Sequence, residues 1–224
     1  SGACNIGIGV STGDAITTGV QNIAIGNIAF GAACTGGYNI AIGETAMGLG
    51  VTSGANNIAI GQNTARDLVA AACNIALGVG AMGELVTTHQ NIAIGTDAYG
   101  TAACGANNIA IGCGAMKNVT TGQADSNIGI GIWPLAGHST MSGDYNIAMG
   151  YYAMDVLTSG ANNVAIGTNV MGVATTGSCN VAIGNVTMGG GAVTGLSNIG
   201  IGTNSIDALT SGACNVALGQ STMG

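Results

Sequence analysis

The apolar positions of this chain fall into one short alternation that returns at a nearly constant interval. The pentad Asn-Ile-Ala-Ile-Gly, or a close variant, begins at Asn5, Asn22, Asn39, Asn57, Asn74, Asn91, Asn108, Asn127, Asn146, Asn163, Asn180, Asn198 and Asn215, at spacings of 17 to 19 residues. Asn opens and Gly closes every copy. The second residue is Ile or Val, and the fourth is Ile except at Leu77, Met149 and Leu218. The third is Ala, or Gly at Gly7, Gly129 and Gly200. Alternation built on β-branched residues predicts a strand. A five-residue segment closed by Gly is too short for a helix. Eight residues past the Asn comes a second apolar position, commonly Met, as at Met47, Met82, Met116, Met154, Met171, Met188 and Met223. A turn such as Thr52-Ser53-Gly54 or Thr158-Ser159-Gly160 follows.

Each repeat therefore reads as a strand, a turn, a shorter strand around Ala-Met, and a second turn. One such unit cannot bury its own apolar face, and stacking the units in parallel about 4.8 Å apart closes a continuous core. The prediction is an all-β chain: a parallel β-solenoid, or β-roll, of about 13 coils with a repeat of about 17 residues. It is read as a single domain over residues 1–224, a rod roughly 60 Å long. The pentad isoleucines are expected to point into the coil, leaving the third residue on the opposite face. A solvated strand face should be polar, so the small column Ala24, Ala41, Ala59, Ala76, Ala93 and Ala110 predicts self-association along an Ala/Gly stripe. Asn22, Asn39, Asn57, Asn74, Asn91 and Asn108 predict an amide ladder up the stack, and Asn also tolerates the left-handed backbone of a corner. The Thr and Ser of the second turn are expected to bond local backbone.

Composition narrows the partners. Charged residues make up 5% of the chain and apolar residues 47%, with 42 glycines, where a globular domain carries about a quarter charged residues. Most of the chain must therefore be hidden from water. No apolar run approaches the roughly 20 residues of a membrane helix, so membrane insertion is not expected. Nine acids against Arg66 and Lys117 leave a net charge of −7, which disfavours nucleic acid and anionic membrane surfaces. The single proline, Pro134, excludes a collagen-like chain. No leader segment is legible and the first residue is not Met. The two ends fall nearly in phase, so the chain is expected to be a fragment of a longer array.

Catalytic readings fail on context. Gly9-Val10-Ser11-Thr12-Gly13 matches a nucleophile-elbow string but occupies an ordinary turn, with His89 and His138 the only histidines. The glycines of Gly78 to Gly83 match a dinucleotide fingerprint, yet 17 residues leave no room for its helix. No enzyme and no organic cofactor are expected. Cys4, Cys73, Cys179 and Cys214 precede pentad asparagines on coils too far apart to bridge. With Cys34, Cys104 and Cys113 they read as small, free, packed residues, with bridging between chains at one level as the alternative.

The two 19-residue spacings are consecutive, and each carries an Asp two residues before the next Asn, Asp125 and Asp144. Stacked, these like charges would repel, and calcium is the candidate metal that would relieve them. Two solvated carboxylates are the plain alternative. Trp133, Tyr151 and Tyr152, with Tyr145, concentrate the scarce aromatics nearby, and are candidate contacts to a receptor or glycan. Packing beneath the enlarged loops is the other reading.

The pentads Asn22-Ile23-Ala24-Ile25-Gly26 and Asn91-Ile92-Ala93-Ile94-Gly95 resemble two related groups. One is the head repeat of trimeric autotransporter adhesins. The other is the repeat array in tail fibres of bacteriophages and fibre proteins of large viruses, to which the 17-residue spacing with Thr-Ser-Gly turns is more similar. The resemblance covers essentially all of the chain. It implies a non-catalytic structural shaft at an extracellular or virion surface, assembled as a homotrimer, with end-to-end filaments a further option. An adhesin head binding a host receptor or glycan is the alternative function. An ice-binding solenoid is the third, although its threonines should form a Thr-x-Thr array rather than the single rank at a turn seen here.

Overall fold

The computed structural model describes residues 2–32, 34–84, 87–101, 105–119, 124–137 and 141–223. The described chain is all-β, a parallel β-solenoid with one strand per repeat and no helix. It divides into two compact units, Ser1–Ile111 and Gly112–Gly224. The first carries β1 (Ile6–Ile8), β2 (Ile23–Ile25), β3 (Ile40–Ile42), β4 (Ile58–Ile60), β5 (Ile75–Leu77), β6 (Ile92–Ile94) and β7 (Ile109–Ile111). The second carries β8 (Ile128–Ile130), β9 (Ile147–Met149), β10 (Val164–Thr168), β11 (Val181–Asn185), β12 (Ile199–Ile201) and β13 (Val216–Leu218).

Within each unit neighbouring strands pair parallel and in register. Ile23 faces Ile40 and Ala24 faces Ala41, and likewise Val164 faces Val181 and Ala165 faces Ala182. The ladder bonds run from coil to coil. The Ile23 amide donates to the Asn39 carbonyl at 2.9 Å, and the Gly26 amide to the Ile8 carbonyl at 2.8 Å. The closing Gly is required twice over. Gly43 has φ +135°, and a Cβ placed there would lie 2.4 Å from the carbonyl oxygen of Gly61 on the next coil. A side chain is thus excluded both by backbone conformation and by the close approach of the next rung.

The strand faces are the reverse of the sequence expectation. Ala24, Ala41, Ala59, Ala93 and Ala110 are 0% exposed and Ala76 1%, whereas Ile6 and Ile8 are 51% and 58% exposed. The alanines point into the coil and the isoleucines out of it, so the alanine stripe is not a surface that a second chain can reach. The reason is the width of the interior. The inward pentad residue meets the long apolar side chain of the preceding coil, the one that stands eight residues past that coil's own Asn. A Cβ at Gly129 would lie 3.0 Å from Met116 Cγ, and one at Gly200 3.2 Å from Met188 Cε. Met47, Met82, Met116, Met154, Met171 and Met188 are buried, as are Phe30 and Tyr99 at the same position of their repeats. With a flexible side chain of that length on one wall, only Ala or Gly fits opposite, and an inward Ile would overfill the coil.

The corner geometry differs in a second detail. The left-handed residue is the one before the ladder Asn, not the Asn itself: Gln21 has φ 55°, Tyr38 61° and Cys73 60°. Non-Gly residues rarely adopt this region, and here every repeat does so at the same place. The turn hydroxyls also bond the next coil more closely than their own. Thr52 Oγ1 donates to the Leu68 carbonyl at 3.1 Å and Thr158 Oγ1 to the Thr175 carbonyl at 2.8 Å.

Candidate functional site

Three features of the surface and interior could carry function, and they are built from different positions of the same repeat. The first is the interior Asn ladder, which is present as expected. Asn22, Asn39, Asn91, Asn57 and Asn108 are at most 1% exposed and Asn74 2%. From Asn22 to Asn91 each Oδ1 accepts the backbone amide of the next coil's Asn, that of Asn22 from the Asn39 amide at 2.9 Å and that of Asn91 from the Asn108 amide at 2.8 Å. Over the same span each Nδ2 donates to a carbonyl in the adjoining turn, as Asn22 does to Gly36 at 2.9 Å and Asn57 to Ala71 at 2.8 Å, whereas Asn108 Nδ2 donates to the Tyr99 hydroxyl at 3.0 Å. The side chain thus mimics one more peptide unit, and the buried polar groups at this corner are satisfied without water. Asn146, Asn163, Asn180, Asn198 and Asn215 repeat the pattern in the second unit. This ladder is structural and sealed from ligands.

The second feature is the outward strand face. In both units its two columns hold Ile, Val, Leu or Met at every level, with no polar residue. Ile60, Met149, Ile166, Ile199 and Ile201 are 37–40% exposed within their columns. None of the nine acids stands on these columns, and five of them, Asp14, Asp67, Glu84, Asp155 and Asp207, sit nine or ten residues past a pentad Asn. Sequence reasoning missed this face by assigning it to the core. The signal was present, because Ile-Ala-Ile is apolar on both sides of the strand.

The third feature lies in the second unit. Trp133 and Tyr152 occupy the same position of successive coils, linked by the Tyr152 amide to the Ile132 carbonyl at 3.1 Å. The Trp133 indole lies over Gly114, where a Cβ would meet its Cδ2 at 2.8 Å, and Lys117 Nζ stands 5.3 Å from the ring centroid. Tyr151, 46% exposed, packs edge-on to Tyr152 with centroids 4.4 Å apart. The charge of neighbouring Tyr151 acts first, with partial burial and the Asp155 carboxylate, to hold the Tyr152 hydroxyl above the usual phenol range. Trp133 and Tyr152 line a cleft of about 150 Å³ with Asn118, Ala136, Gly137 and Asp155. A second cleft of about 270 Å³ is lined by Asp155, Asn169, Val173 and Val186, with Gly172 and Gly189. Asp155 lines both, so the two clefts are neighbours that share this residue.

The remaining candidates separate. Asp125 and Asp144 are brought one coil apart, and Asp144 Oδ1 accepts the Asp125 amide at 2.9 Å. One carboxylate is therefore engaged by the other residue's backbone, and no group of three or more His, Cys, Asp or Glu side chains gathers among the described residues. Cys4, Cys73, Cys113, Cys179 and Cys214 are free and exposed, not packed as expected, and among the described residues only Cys34 is a buried cysteine. Burial pushes the Cys34 thiol up, and outweighs the opposing effect of a backbone hydrogen bond at Gly36. Cys104 and His138 lie outside the described residues. His89 Nδ1 accepts the Ala72 amide at 3.0 Å, a structural bond between coils. No helix among the described residues is long and apolar enough to cross a membrane. Searches of protein-family models, curated proteins and solved structures found no match to the chain.

Proposed function

We propose that this chain is a structural shaft, non-catalytic, that assembles side by side with copies of itself across the outward isoleucine face. The observation that carries this reading is the composition of that face: two aliphatic columns, unbroken by any polar residue. Parallel sheets are ordinarily covered on both faces, and strands that are apolar throughout belong to that class. The coil interior covers one face of each strand, and a second copy covers the other. Rungs about 4.8 Å apart and roughly 14 Å wide, counting two side chains about 6.6 Å apart and their radii, amount to about 470 Å² over the seven strands of the first unit and about 400 Å² over the six of the second. Each unit alone thus carries an apolar patch as large as the largest on a typical monomer, and the two areas added reach the roughly 800 Å² per partner of a stable interface. The net charge of −7 opposes association in general, but no acid stands on these columns to meet its copy.

The similarity of the pentads to viral and phage fibre arrays supports an extracellular or virion-borne setting and a homotrimer. Native mass spectrometry together with light scattering tests the assembly. A discrete oligomer that dissociates when Ile40, Ile75 and Ile92 are replaced by Lys supports the shaft. A wild-type chain that stays monomeric at about 100 μM, a hundredfold above a micromolar Kd, overturns it.

A further inference from the structure

We propose that the groove formed by the two adjoining clefts of the Gly112–Gly224 unit binds a linear, uncharged glycan chain. This goes beyond the shaft reading and does not depend on it, because the groove is made from repeat positions other than the outward isoleucines.

The groove crosses five successive repeats, from the one holding Asn118 to the one holding Val186. Trp133, Tyr152, Asn169 and Val186 occupy the same position of four successive repeats, six residues past the pentad Asn, and supply one wall. Two aromatic rings come first in that wall and offer flat apolar surfaces of the kind that sugar C–H faces stack upon. Ala136 and Gly137 on one side of Asp155, and Gly172 and Gly189 on the other, add nothing larger than a methyl group to a lining that also holds Val173, so a pyranose ring can approach the backbone at those rungs. The Asp155 carboxylate and the Asn118 and Asn169 amides place acceptors and donors along the length, the inventory that paired sugar hydroxyls require. Successive coils rise by about 4.8 Å, close to the length that one hexose adds to an extended β-1,4-linked chain. Each sugar would therefore meet an equivalent rung.

Charge and backbone narrow the ligand class. Lys117 is the only cation in this unit and is already set against the Trp133 ring, while Asp155 stands in the middle of the groove. An anionic sugar or a nucleic acid would meet repulsion with almost no compensation. An extended peptide is normally captured by adding to a strand edge, whereas the amides of Trp133, Tyr152, Asn169 and Val186 are already bonded to the preceding coil.

Trp133 is the only tryptophan of the chain, so its emission reports the groove directly. The probes are cellopentaose and chitopentaose, titrated to about 5 mM, within reach of a millimolar Kd. The expected result is a saturable emission change with at least one of them, weakened tenfold or more in Asp155→Ala and in Gly172→Leu. The second variant is chosen because the Gly172 backbone is not left-handed and a Cβ there meets nothing closer than 3.5 Å, so it fills the groove of a folded coil. Circular dichroism checks that both variants stay folded. No saturable change with either pentasaccharide, or a Gly172→Leu variant that folds and binds as tightly as wild type, overturns the proposal. So does a response confined to an anionic oligosaccharide such as a sialic acid pentamer. Failure here leaves the shaft intact, since that reading is measured by oligomer mass.

Discussion

The backbone amide of Asn57 donates to the side-chain Oδ1 of Asn39 at 2.9 Å, one coil away, while Asn39 Nδ2 donates to the Gly54 carbonyl at 3.0 Å. One amide side chain thus satisfies a donor and an acceptor that lie where water cannot reach. Replacing Asn39 by Ala orphans both, and each buried orphan costs about 1–3 kcal/mol. Asn39→Ala is expected to destabilise the chain by about 2–5 kcal/mol, read as a lower midpoint in urea unfolding. Wild-type stability would mean the ladder is ornamental.

The reversal of inside and outside makes an opposed pair of predictions on adjacent residues. Ala93→Leu forces three extra carbons into a coil already filled by the long side chains opposite, and should cost about 2 kcal/mol or more. Ile92→Thr keeps a β-branched residue on the outward face and should change the stability of a single chain by less than about 1 kcal/mol. Thermal unfolding of the two variants under conditions that keep the chain monomeric separates the two orientations of the strand. The sequence expectation demands the opposite ranking.

Thr88 is 3% exposed, and its hydroxyl is the one buried side-chain polar atom without a hydrogen-bond partner among the described residues. Val has the same shape without the unsatisfied group. Thr88→Val should stabilise the fold by about 1 kcal/mol, seen as a rise in Tm.

The cysteines should differ in reactivity. At mildly alkaline pH an iodoacetamide pulse followed by peptide mass mapping is expected to modify Cys4, Cys73, Cys113, Cys179 and Cys214, all exposed, and to spare Cys34 until denaturant is added. Burial raises the Cys34 thiol above its ordinary value, so the folded state holds that proton more tightly than the unfolded chain. Its contribution to stability is complete below the ordinary cysteine range and falls away as pH rises through that range towards the folded value. Cys34→Ala should flatten that alkaline loss.

The period, the strand at each pentad, the parallel stacking and the Asn ladder were all legible in the residues. They follow from local rules: β-branched alternation makes a strand, a unit of this size cannot bury itself, and an amide on every coil must find a partner in the next. The orientation of the strand was not legible. Where apolar and polar residues alternate, the pattern names the buried face, but Ile-Ala-Ile is apolar on both and contains no such contrast. What decides it is the interior width, set by corners at residues such as Gln21 and Tyr38 and by the reach of Met116 and Met188 across the coil. That distance exists only once the turns have closed. The same holds for the groove. Trp133, Tyr152 and Asp155 were visible as residues, with the two aromatics already candidates. Their convergence on one cleft is a product of stacking, because 19 residues of chain separate Trp133 from Tyr152 while a single parallel rung brings them together.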